Sequence, residues 1–169
     1  MRDCGGAIEV NSVLDEGTDI AMFLPVFSLD SPAAQPDEAA SVWSARVTGT
    51  ILVVDDDQGL RGMVARGLSR LGTTTLEAPS ADAAVRLIES RMDVDVVVTD
   101  LQMEGAMDGV DLADYLTASR NRAHIVLMSG DESSLRRAER RAAKDIPLLQ
   151  KPFTTEQLVA ALPKNLVSG

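Results

Sequence analysis

The chain has 169 residues, a formal net charge of −10, 45% apolar and 3% aromatic side chains. That length holds one domain of usual size with some chain left over, and the acidic balance excludes nonspecific binding to nucleic acid or to an anionic membrane. The one cysteine, Cys4, excludes an internal disulfide and points to a reducing compartment.

The charge is uneven: residues 1–46 carry two basic and eight acidic side chains, residues 47–169 fourteen and eighteen. Asp3 and Glu9 stand where a secretory signal needs an apolar stretch, and no run approaches the roughly 20 apolar residues of a spanning helix. The expectation is a soluble cytoplasmic protein, or a soluble piece of a larger one, with no membrane contact by this segment. Residues 7–12 and 19–24 alternate apolar and polar side chains around a turn-forming stretch with Asp15, Glu16 and Gly17, which predicts a β-hairpin. A lone hairpin is marginal in water, so this one needs something to pack on. Residues 28–48 read as a linker, small and polar with Pro32 and Pro36, and Trp43 sits near its end.

From Thr50 a regular alternation begins. Apolar or β-branched strands are predicted at 51–54, 73–78, 94–99, 125–128 and 146–150. Between them, apolar residues at helical spacing predict helices over 58–71, from Ser80 onward, over 110–119 and over 132–143. Thr154 and Gln157 form a capping box for a last helix reaching 162. The pattern is (βα)₅, an α/β doubly wound five-stranded parallel sheet. The third strand, with Val94, Val96, Val97 and Val98, has the unbroken apolar run of a strand buried on both faces, and it ends in Asp100.

In open sheets of this kind, function collects at the carboxyl ends of the strands. There the first strand gives Asp55, Asp56 and Asp57, the third Asp100, the fourth Ser129 and Gly130, and the fifth Lys151 and Pro152. Carboxylates crowded at one edge repel unless something neutralises them. A hard divalent cation does so, and Mg2+ suits a site of few carboxylates plus water and phosphate. Lys151 adds a fixed positive charge and Ser129 a hydroxyl. Such groups around Asp100 would stabilise a transferring phosphoryl group, with Asp100 as nucleophile.

Over about residues 49–165 these residues, in this order, resemble the two-component response-regulator receiver domain, with its flavodoxin-like fold. The resemblance implies that Asp55 and Asp56 are the metal-binding pair. Asp100 would be the phosphoacceptor and a further metal ligand, and the backbone carbonyl of Gln102 another. Ser129 would hold the hydroxyl position, Lys151 would contact the phosphoryl group, and the bond before Pro152 would be cis. It also implies a histidine kinase or a histidine phosphotransfer protein as partner. Gly5-Gly6, Ile8, Val10 and Ser12, then Gly17-Thr18, Ile20 and Leu24-Pro25, resemble the closing hairpin of a histidine-kinase ATP-binding domain. That resemblance covers residues 1–27 alone and makes them a remnant ahead of a receiver at 49–169, as in a hybrid sensor kinase. With only Ser168 and Gly169 beyond the last helix and its tail, output is expected through protein contacts rather than nucleic acid. The oligomeric state is left open.

The chain departs from the family in places. The loop after Asp100, Met103 to Gly109, lacks the proline of the usual Met-Pro and is one residue longer. Leu148 stands where a switch aromatic is common. Asp57 reads as a solvated helix cap, His124 as structural, Met103, Met107 and Met128 as packing, and Phe153 as core. Arg136, Arg137, Arg140, Arg141 and Lys144 form a basic face, read as solvated or, more sharply, as a partner contact. Two other readings share the motifs. One is an Asp-nucleophile phosphohydrolase, for which Asp55 and Asp57 match the Asp-x-Asp spacing. The other is an interaction module that is never phosphorylated.

Overall fold

The computed structural model describes residues 7–13, 17–23, 46–90, 93–141 and 145–168. The Gly5-Gly6 and Leu24-Pro25 ends of the expected hairpin, the linker up to residue 45, Trp43, Cys4 and Lys144 lie outside the described residues. The chain divides into two units, Met1–Pro36 and Asp37–Gly169.

In the first unit, β1 (Ala7–Val13) pairs antiparallel with β2 (Gly17–Phe23), as the alternation predicts. The register sets Val10 opposite Ile20, and both are more than half exposed.

The first described element of the second unit is β3 (Arg46–Val47). The alternation then gives β4 (Thr50–Val54), α1 (Gln58–Arg70), β5 (Thr74–Ala78) and α2 (Ala81–Ser90). Next come β6 (Val96–Asp100), α3 (Gly109–Ala118), β7 (His124–Ser129) and α4 (Glu132–Arg141). It ends with β8 (Leu148–Gln150), α5 (Thr155–Ala160) and β9 (Val167–Ser168). The five-stranded sheet has the order β5-β4-β6-β7-β8, every neighbouring pair parallel. Period-two alternation divides each strand between two cores. Leu52, Val54 and Val97 pack with α2, α3 and α4, whereas Ile51, Val53, Val96 and Val98 pack with α1 and α5. Burial on both faces explains the unbroken apolar runs.

Several boundaries differ from the sequence expectation. Val94 and Asp95 precede β6 instead of opening it, and Asp100 belongs to it. The Asp95 carboxylate accepts the Thr50 N–H at 2.8 Å, a backbone donor at the head of β4. Gly49, at φ 96°, makes room for this, since a Cβ there would stand 2.6 Å from Asp95 Oδ2. Strand β8 starts at Leu148, not at 146, because Pro147 has no N–H to offer the ladder. The folded unit also reaches back into the stretch read as linker: β3 pairs antiparallel with β9, and Val47 is buried, its N–H bonded to the Leu71 carbonyl at 2.9 Å. The Thr154–Gln157 capping box opens α5, and an Asp108–Asp111 capping box opens α3. Among the described residues no helix is long and apolar enough to cross a membrane.

Candidate functional site

Strands β4 and β6 are neighbours, so Asp55, just past β4, and Asp100, the last residue of β6, emerge side by side at the carboxyl edge. One carboxylate oxygen each from Asp55, Asp56 and Asp100 lies within 4.8 Å of the others. Asp55 and Asp100 are buried, and Asp56 is exposed.

Each carboxylate is held differently. Asp55 Oδ1 accepts the Asp57 N–H at 2.9 Å, and Oδ2 accepts from Lys151 Nζ at 2.9 Å. Asp56 Oδ2 accepts the Glu104 N–H at 3.1 Å, which ties the loop after β6 to the acidic pair. Asp100 Oδ1 accepts the Leu101 N–H at 2.9 Å and stands 3.1 Å from Lys151 Nζ. Burial raises the Asp100 carboxyl above its ordinary range; Lys151 pulls it down, and the neighbouring Asp55 charge pushes it up.

Lys151 reaches the carboxylates from β8, with β7 between. Its N–H bonds the Ser129 carbonyl at 2.7 Å, and the Lys151–Pro152 bond is cis, as the resemblance implied. Pro152 itself is exposed. Gly109, at the start of α3, fixes the other side. Its N–H donates to the Leu101 carbonyl at 3.2 Å, and a Cβ there would overlap the Asp100 carbonyl oxygen.

The fold thus gathers Asp55, Asp56, Asp100 and Lys151. Ser129 is buried at the end of β7, but its hydroxyl is engaged by the backbone of Asp131, accepting that N–H at 3.1 Å. Gln102 is exposed and lines a shallow crevice with Asp56, Met103, Glu104, Asp108 and Arg137. Asp57 caps α1, accepting the Leu60 N–H at 2.9 Å, and the Leu60 and Gly59 N–H groups hold its carboxyl below the ordinary range. His124 Nε2 lies 3.1 Å from the Ala161 carbonyl oxygen, a structural contact. Met128 is buried, and Met103, Met107 and Phe153 pack against the cores. The basic face of α4 is partly neutralised within the chain: Arg136 pairs with Glu132, and Arg141 with Asp108, Asp111 and Asp114.

One neighbour of the acids escaped the motif reading. Arg61, on α1, donates from Nη1 to the Asp55 carbonyl oxygen at 2.6 Å. A cation one and a half helical turns beyond an acidic pair was the available signal. The donor set itself, three carboxylates with no sulfur or imidazole, fits a hard divalent cation.

A doubly wound sheet with an acidic cluster and a lysine at its carboxyl edge is the architecture of a signalling receiver. The match to the response regulator receiver domain model over residues 51–163 shows that the chain belongs to that family. It is similar to the sensor kinase CckA of Brucella abortus, 28% identical over 179 residues, covering 98% of this chain and 18% of CckA. It is also similar to the autoinducer 1 sensor kinase/phosphatase LuxN of Vibrio harveyi, 28% identical over 148 residues, 78% of this chain and 17% of LuxN. The chain therefore spans less than a fifth of the length of either relative. Among solved structures, the receiver domain of NtrX from Brucella abortus is 33% identical, with a TM-score of 0.57 over 65% of this chain and 92% of that one.

Proposed function

We propose that this receiver domain takes a phosphoryl group from a phosphohistidine onto Asp100, with Mg2+ held by Asp55, Asp56, Asp100 and the backbone carbonyl of Gln102. The carrying observation is the convergence of three carboxylates and Lys151 at one sheet edge. When bound, Mg2+ supplies charge neutralisation for the acids and for the phosphoryl oxygens. Asp100 attacks the phosphorus through a carboxylate oxygen, and the histidine nitrogen leaves with the bonding pair. Lys151, already shared between Asp55 and Asp100, balances charge on the transferring group. Ser129 serves as a hydroxyl donor once it leaves the Asp131 backbone.

The donor is a histidine kinase or a histidine phosphotransfer protein, output runs through protein contacts in the cytoplasm, and no nucleic acid is bound. The alignment with CckA reaches across nearly the whole chain and so includes the hairpin. This supports reading residues 1–27 as the end of a kinase ATP-binding domain within a hybrid kinase, followed by a linker and by a receiver whose folded unit takes in β3 at Arg46–Val47. The capping role of Asp57 disfavours the phosphohydrolase reading, because its carboxylate faces the α1 N–H groups rather than a leaving group.

Beryllofluoride, which mimics an aspartyl phosphate, tests the assignment. It is expected to bind only with Mg2+ and not to Asp100→Asn. Binding that persists in Asp100→Asn contradicts it, as does phosphate-ester turnover that survives Asp100→Asn and is lost in Asp55→Asn.

A further inference from the structure

Arg61 carries a largely buried guanidinium beside the acidic pair. Its side chain is only 12% exposed, its Nη1 donates to the Asp55 carbonyl oxygen at 2.6 Å, and its Nε stands 3.4 Å from Glu77 Oε2. That Nε–H is buried and has no hydrogen-bond acceptor. Glu77 lies on edge strand β5, in register with Val53 of β4. The guanidinium therefore bridges an edge strand and the turn that leaves β4. A buried cation with one unmet N–H is unfavourable, and an aliphatic side chain would fill the space without that penalty. Local rules broken in this way mark sites where something other than packing is being served.

The Asp55 carboxylate is already fixed by the Asp57 N–H and by Lys151. Arg61 fixes the main chain of the same residue. Asp56 comes next and is exposed, with its carboxylate tied to the Glu104 N–H. The main chain where the acidic pair leaves β4 is thus tied twice, by the Asp55 N–H to the Ala78 carbonyl at 3.2 Å and by Arg61 at the Asp55 carbonyl.

We propose that Arg61 is a positioning residue for a divalent cation at Asp55, Asp56 and Asp100: it holds the Asp55 backbone against Glu77 and so sets the affinity of the site. This rests on the metal-dependent reading above. Geometry and charge make opposite demands here. As a positive charge beside the acids, Arg61 opposes a cation, so losing the charge would tighten binding. As a geometric brace, its loss loosens binding.

The test is calorimetric titration of the whole chain with Mg2+ alone, without phosphodonor, with circular dichroism as the check on folding. Arg61→Lys keeps the charge but loses the planar guanidinium that sets Nη1 on the Asp55 carbonyl while Nε faces the Glu77 carboxylate. It is expected to weaken Mg2+ binding about tenfold, the usual scale for partners that orient metal ligands. Arg61→Met is expected to weaken it as well. Unchanged affinity in Arg61→Lys, or tighter binding in Arg61→Met, overturns the proposal. Glu77→Gln tests the bridge from its exposed end. In about 0.5 M salt, where surface charge effects are screened, it is expected to weaken Mg2+ about threefold, and no change overturns the proposal. Absence of Mg2+ binding in the unsubstituted chain overturns this proposal and the metal-dependent reading together. Normal binding there, with unchanged variants, overturns the role of Arg61 alone.

Discussion

Lys151 Nζ stands 3.1 Å from Asp100 Oδ1 although β8 and β6 are not neighbours in the sheet. The lysine spans the end of β7, held there by the bond from its own N–H to the Ser129 carbonyl. It also contacts Asp55, so one ammonium offsets two buried carboxylates. Lys151→Ala is expected to slow phosphoryl transfer from acetyl phosphate about a hundredfold, the scale for losing one preorganised donor. Because Lys151 lowers the Asp100 carboxyl, its removal should also move the acid limb of the rate to higher pH. Intact-mass time courses across pH read both effects.

Asp100 carries a carboxyl raised above its ordinary value of 3.8, chiefly by burial. A group raised in the folded state favours folding below its unfolded value, and that contribution is lost as pH rises through the folded value. At pH 7 the buried charge therefore weakens the fold. Asp100→Asn keeps the size and removes the charge, so its thermal midpoint at pH 7 is expected to lie above that of the unsubstituted chain by about 2–5 °C. The gap should close toward pH 4. Calorimetry at the two pH values checks this, and a lower midpoint for Asp100→Asn at pH 7 counts against it.

Gly109 seats α3 against the backbone of β6. A Cβ at this position would meet the Asp100 carbonyl oxygen and the Leu101 Cα, both main-chain atoms that cannot swing aside. Gly109→Ala is expected to cost roughly 2 kcal/mol by overpacking and to displace Asp100 from Lys151. Urea unfolding should show a lower midpoint at unchanged slope. Acetyl phosphate labelling should slow in the fraction that remains folded.

Asp131 caps α4 by accepting the N–H groups of Ser133 and Ser134 and both of their hydroxyls. The Ser133 hydroxyl, followed by that of Ser134, lowers its carboxyl to about 2. A lowered carboxyl contributes stability above its unfolded value, and this is lost as pH falls through the folded one. Asp131→Ala should therefore melt a few degrees lower at pH 7, with the difference narrowing between pH 4 and pH 2. Melting curves at three pH values are sufficient. A constant difference would show that the cap does not act through its charge.

Much of this fold was legible because it rests on local pattern. The valine run of β6, the Thr154–Gln157 capping box and the carboxyl-edge positions of Asp55, Asp100 and Lys151 follow from periodicity and order along the chain. What stayed hidden was either too short or too distant. The β3–β9 pair has two residues in each strand, so no periodicity exists to detect. Asp95 serves a donor 45 residues away, and the ties from Arg61 to Glu77 and from Arg141 to the acids of α3 join elements by side chains alone. The Ser129 hydroxyl is a further case: its place at the end of β7 was predictable, but its engagement by Asp131 was not.

Phosphoryl transfer to Asp100 is read out by incubating the whole chain with acetyl phosphate and Mg2+ and measuring its intact mass. The expected result is a gain of one phosphoryl group that requires Mg2+ and is abolished in Asp100→Asn. No gain in the folded, unsubstituted chain, or a gain that persists in Asp100→Asn, would contradict it.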